Sequence, residues 1–169
     1  MRRKPRRSIS ILEDPEDPVA VSSTVKAAPP AARVAGWTRA LLASVPRGAG
    51  RSVSVLLCGD ARMRALNRKW RGKDVATDVL SFPSGSANGF LGDVVIDMAY
   101  ASRQAGERGH GAAREVQVLL AHGLLHLLGY DHETDDGEMF RLQARAVTKA
   151  FGPGPDGVPG EAAEPEENS

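Results

Sequence analysis

The stretch HGLLHLLGYDH, residues 122–132, holds three of the four histidines in a chain of 169 residues. Residues four apart share a helix face, so His122 and His126 stand one turn apart on the same side. Gly129 falls where a helix ends in a left-handed residue. The turn it permits can bring His132 back to the same point. Upstream, Val116, Val118, Leu119, Leu120, Leu124, Leu125, Leu127 and Leu128 make 112–128 apolar on nearly every side, and a helix apolar all round is buried. The spacing therefore predicts a buried central helix with His122, His126 and His132 as metal ligands. Three imidazoles with a fourth position open are the catalytic arrangement of zinc, and one Zn2+ per chain is expected. Three histidines with ordinary local hydrogen bonds would explain neither the third histidine nor the glycine that lets it return.

The same spacing, H-x3-H-x2-G-x2-H, is that of the metzincin proteases. Those enzymes carry Glu directly after the first histidine as general base. Here that residue is Gly123. The ligand geometry is kept and the peptidase base is missing.

Working outward, 31–45 has Val34, Trp37, Leu41, Leu42 and Val45 at helical spacing. Residues 52–58 (SVSVLLC), 77–82 (TDVLSF) and 91–96 (LGDVVI) read as strands, with Pro83 closing the second and 84–89 as a turn. A first strand is expected at 8–12, and 19–30 is poorly patterned. Asp60 is placed to cap a helix running to about Lys69, and Asp97 one running to Arg108. Gly109-His110-Gly111 breaks the chain before the central helix. Thr134 or Asp135 can start a last helix that ends near Phe151. These elements predict an α+β fold: one small mixed sheet of about four strands with helices packed on it. The domain is expected over 8–151, with a basic tail at 1–7 and a disordered acidic tail at 152–169.

Hydrophobic residues make up 41% and charged residues 25%, and the net charge is +1. That is the composition of an ordinary globular domain and provides no overall field for nucleic acid. A single cysteine, Cys58, excludes an internal disulfide and fits a reducing compartment. No apolar run approaches a membrane span, and no signal peptide is seen. A cytoplasmic location is expected.

A second informative stretch is LNRKWRGKD (66–74), read as a loop that concentrates Arg68, Lys69, Arg71 and Lys73. Arginine offers a planar fork to phosphate and lysine a point charge. Asn67, Arg71 and Lys73 are candidate substrate-binding residues, and Trp70 could stack on a base. On its own the stretch is equally a solvated basic loop. Next to a metal site without a general base, it supplies what phosphodiester cleavage needs, a Lewis acid or activated water together with charge stabilisation. Asp131 could orient an imidazole or cap the turn before the last helix. Glu115 is on the His122 face but two turns away, too far to ligate. His110 is expected in solvent, Asp93 as a satisfied strand carboxylate, and Cys58 in the core.

Taken with LNRKWRGKDVATDVLSFP (66–83) and LGDVVID (91–97), the block HGLLHLLGYDH resembles the signature of the bacterial YbeY family. These are rRNA maturation factors described as single-strand-specific endoribonucleases. The likeness spans about 8–151, and the histidine block is its most specific part. The resemblance implies an α+β fold with the metal in a cleft, His122, His126 and His132 as zinc ligands, and Arg71 as the functional, catalytic arginine. It also implies a role in 16S 3′-end processing and ribosome quality control. The implied partners are single-stranded RNA, the small ribosomal subunit and an assembly GTPase, with no membrane. Two alternatives stay open: a metallopeptidase, favoured by ligand spacing and opposed by Gly123, and a non-catalytic assembly factor whose zinc only holds the fold.

Overall fold

In the computed structural model, which describes residues 18–86 and 89–154, strand β1 (Val19–Ser23) leads through helix α1 (Ala31–Ser44) to strand β2 (Ser52–Cys58). Helix α2 (Asp60–Arg71), strand β3 (Val79–Pro83) and strand β4 (Phe90–Asp97) follow. Helices α3 (Met98–Arg108), α4 (Ala112–Leu127) and α5 (Glu138–Phe151) come last among the described residues. The sheet order is β1-β2-β4-β3, with β1, β2 and β4 parallel and β3 antiparallel to β4. This is the expected α+β arrangement with a mixed, four-stranded sheet.

Side chains alternate across the sheet. Val53, Val55 and Leu57 of β2, with Val94 and Ile96 of β4, belong to the main core with α1, α3, α4 and α5. Leu56, Cys58, Leu80 and Val95 form a smaller core with Met63 and Leu66 of α2. So α2 lies on one face of the sheet and the remaining helices on the other. The central strands β2 and β4 are buried along nearly their whole length, as strands covered on both faces must be. Helix α4 packs on β3, β4, α1, α3 and α5, which explains why its sequence is apolar on almost every side.

Several expectations shift. A strand at Val19–Ser23 occupies part of the segment read as unpatterned, whereas the expected strand at 8–12 lies outside the described residues. Five residues carry little periodicity, and β1 is defined by its parallel pairing with β2, from Val19 opposite Val53 to Ser23 opposite Leu57. Gly59, not Asp60, is the N-cap of α2, and the Asp60 carboxylate instead takes both terminal nitrogens of Arg103. Helix α2 runs on to Arg71 and ends at Gly72, which is left-handed at φ +70°. The Asp97 cap is as expected, accepting from the N–H groups of Ala99 and Tyr100. Asp135 does prepare the last helix, accepting from Gly137 and Met139 N–H, but helical geometry begins only at Glu138.

Edge strand β3 tolerates its terminal Pro83, paired with Gly92, because an edge position can spare one ladder donor. Gly92 sits at φ +135°, and a Cβ there would collide with the carbonyl oxygen of Phe82. The chain can pass that point only as glycine.

Candidate metal centre and cleft

Helix α4 ends in a Schellman turn. Gly129 N–H donates to His126 O at 3.0 Å, Tyr130 N–H donates to Leu125 O at 3.1 Å, and Gly129 has φ +96°. Asp131 then closes an Asx turn, its Oδ1 accepting Glu133 N–H at 2.9 Å. Of its two expected roles, the turn is the one this bond serves. The result is that His132 comes back over the end of the helix. Ring centroids are 4.7 Å apart for His122 and His126, 5.4 Å for His122 and His132, and 5.3 Å for His126 and His132. One ligand atom from each of the three lies within 4.8 Å of the others. Phe140 of α5 backs the cluster, 6.0 Å from His122 and 5.2 Å from His132 between centroids.

The cluster fits a metal ion on four counts. His122 Nδ1 lies 2.8 Å from Gln143 Oε1. A carbonyl oxygen only accepts, so the proton sits on Nδ1 and Nε2 presents its lone pair. That Nε2 lies 3.1 Å from His126 Nε2, close to the roughly 3.3 Å between two nitrogens each about 2.0 Å from a tetrahedral ion. His132 Nδ1 is buried with no hydrogen-bond partner among the described residues, a cost an ion would relieve. Burial is the main cause that pushes both His122 and His126 down to about 4, and neighbouring imidazoles add to it. Both rings are therefore neutral near pH 7, as ligation requires.

The opposite wall of the cleft is cationic. Arg71 closes α2 rather than lying in a loop, and Lys73 follows Gly72. The Arg71 guanidinium donates through Nη2 to Ser81 O at 2.8 Å and stacks on Phe82 at 5.8 Å. Ser81 in turn donates through its hydroxyl to Gly123 O at 3.0 Å. One residue of β3 thus links the arginine to the backbone beside His122. A cleft of about 560 Å³ opens along this edge strand. It brings together Arg71, Lys73 and Asn67 with His122, His126 and His132. Asn67 is buried, and its Nδ2 donates to Val75 O at 2.9 Å, which holds the loop after α2. Trp70 is exposed, packed edge-on with Phe82 and approached by Lys69.

The remaining candidates resolve in different ways. His110, expected in solvent, lies 2.5 Å from Glu115 Oε2. Glu115 is wholly buried and also takes Arg108 Nη1 at 2.7 Å, so it serves the α3–α4 junction and not the histidine cluster. Cys58 is buried, and burial pushes its thiol up to about 12. Asp93 is buried in β4. Gly123 faces the sheet, where a Cβ would meet both γ-methyls of Val94 and the Ser81 hydroxyl. Gln143, Phe140, Ser81 and Arg108 also line the cleft or back the cluster, and none stood out in the sequence. Only Gln143 leaves a trace there, as a polar residue on the inward stripe Met139, Gln143, Ala146 and Val147 of α5.

A family model described as Endoribonuclease YbeY matches residues 23–150. A protein named Endoribonuclease YbeY from Anaeromyxobacter sp. (strain Fw109-5) is 53% identical over 110 residues, which cover 62% of this chain and 57% of that protein. One of the same name from Solibacter usitatus is 51% identical over 96 residues, 57% of this chain and 64% of its own. Another, from Thermus thermophilus, is 48% identical over 121 residues, 67% of this chain and 87% of its own. The chain thus spans less than two thirds of the first two relatives. A solution structure of a Thermotoga maritima protein superposes with a TM-score of 0.59 at 28% identity, covering 79% of this chain and 89% of that one. No helix among the described residues is long and apolar enough to cross a membrane.

Proposed function

The chain belongs to the endoribonuclease YbeY family, and on that premise we propose that it is a zinc-dependent, single-strand-specific endoribonuclease that matures rRNA, acting at the 16S 3′ end. The observation that carries this reading is the shared cleft, in which Arg71 and Lys73 face the same space as His122, His126 and His132. Zinc held by the three histidines supplies Lewis acidity toward a phosphodiester oxygen. Arg71, fixed by Ser81 O, uses its remaining donors to bind the scissile phosphate and stabilise the charge that builds on it. Lys73 adds a point charge beside it, and Asn67 holds the loop on which Lys73 stands. Gln143 keeps the His122 lone pair turned inward. The reading carries with it a cytoplasmic location and, as partners, the small ribosomal subunit and an assembly GTPase.

The metallopeptidase alternative lacks the glutamate that follows the first histidine and room for it, since position 123 packs on Val94 and Ser81.

The test compares Arg71→Ala with His126→Ala on a single-stranded RNA, with a duplex and a chelator-treated sample as controls. Arg71→Ala should lower kcat by about a hundredfold or more, while metal content stays whole and stability moves by less than about 0.5 kcal/mol. His126→Ala should lose metal and activity together. A wild-type protein that cuts no RNA, with Arg71→Ala still supporting rRNA maturation in cells, would leave the non-catalytic zinc factor in its place.

A further inference from the structure

The cleft contains another cation to which the reaction above gives no role. Arg108, the last residue of α3, lines it together with Arg71 and Lys73. The two arginines approach from opposite faces of the sheet, since α3 belongs to the main core and α2 to the smaller one. The Arg108 guanidinium is held in place. Its Nη1 donates to Glu115 Oε1, and Glu115 Oε2 is engaged by His110 Nε2. Glu115 is wholly buried, and the Arg108 side chain retains 26% exposure.

Burying a carboxylate is expensive, and a buried ion pair can often be replaced by packed apolar side chains without loss of stability. What the pair supplies that apolar packing cannot is an arginine of fixed orientation at the cleft wall. A guanidinium has further N–H donors after one is used. Fixing it beforehand reduces the ordering cost of binding an anion. Glu115 stands seven residues before His122 on the same face of α4, about 10 Å along its axis. Between them the cleft is lined by Val118 and Leu119, apolar surface that suits a ribose or base and not a second phosphate.

We infer that Arg108 is a second phosphate-binding site of the cleft, taking a backbone phosphodiester of the RNA strand next along from the one bound at Arg71. Glu115 positions it, and His110 holds Glu115. The inference rests on the endoribonuclease reading. It adds that the enzyme grips its strand at two phosphates, on the Arg71 side and toward the N-terminal end of α4.

The experiment measures kcat and KM of the zinc-loaded full chain on a single-stranded RNA oligomer and on a dinucleotide that has only one phosphodiester. Arg108→Ala should raise KM for the oligomer about tenfold and leave its kcat within about twofold. Cleavage of the dinucleotide should be unchanged. The salt dependence of oligomer binding should lose about one unit of slope. Because Arg108→Ala leaves Oε1 of the buried Glu115 without its partner, the double variant Arg108→Ala/Glu115→Gln is measured beside it and should show the same KM effect. An unchanged KM in both variants overturns the inference and leaves the nuclease reading standing, as does an equal loss on oligomer and dinucleotide. A wild type that cleaves no single-stranded RNA overturns the nuclease reading itself, and the second site falls with it.

Discussion

The two walls of the cleft are built in opposite ways. The histidine wall comes from eleven consecutive residues and one distant helper, Gln143, and burial keeps His122 and His126 neutral. The cationic wall comes from the exposed end of α2, and its key side chain is held by one backbone carbonyl of an edge strand. One wall suits ligand atoms that must lose their protons. The other suits charges that must stay hydrated until an anion arrives. Substitutions are felt accordingly. Changes behind the histidines should disturb the core, whereas changes on the cationic side should alter RNA cleavage with little effect on stability.

The largest effect expected from that contrast lies at Gly123, behind the histidine wall. Gly123→Glu should destabilise the fold by at least about 3 kcal/mol, since it overpacks Val94 and buries an unpaired carboxylate. It should yield no peptidase. Denaturant unfolding checks this, and a variant as stable as wild type would mean that position 123 is not sealed against the sheet.

A pH titration of chelator-treated protein sharpens the same contrast at somewhat smaller scale. His122 and His126 have folded values near 4, below the ordinary imidazole value of 6.5, with burial as the main cause. Between those values the unfolded chain binds more protons than the native one, so stability rises with pH across the window. As pH falls from about 6.5 to about 4, stability should be lost progressively, by at most about 3 kcal/mol for each ring and by less at His126, where solvent reaches further. His122→Leu should remove about half of the dependence, since His126 keeps its own share. A wild-type profile flat across this window would show that the rings are not held neutral.

The smallest effect is expected at the helper of the histidine wall. Gln143→Ala should weaken zinc binding by about tenfold to a hundredfold, read by competition with a chromogenic chelator. Gln143→Glu, which still accepts from His122 Nδ1, should restore most of that affinity. Equal loss in both variants would point to packing and not to the hydrogen bond.

Whatever depends on residues close together was already settled by the order of amino acids. The i, i+4 histidine pair, the glycine at the helix end and the returning His132 are local facts of backbone geometry, so the histidine cluster was legible in eleven residues. The same holds for the Asp97 cap, the buried character of α4 and strands β2, β3 and β4. Whatever depends on distant partners was settled by folding. Strand β1 exists through its pairing with β2, and no period in five residues announces that. Asp60 gave up its expected cap for Arg103, 43 positions away, because a bidentate ion pair outcompetes a cap that a glycine backbone can replace. Gln143 meets His122 only because α5 folds back across α4. Arg71 and the histidines share a cleft only because α2 and α4 lie on opposite faces of a sheet whose edge strand, β3, runs between them. A side chain carries its own chemistry in the sequence, but the partner that orients it is chosen by packing, which acts over distances a local pattern does not encode.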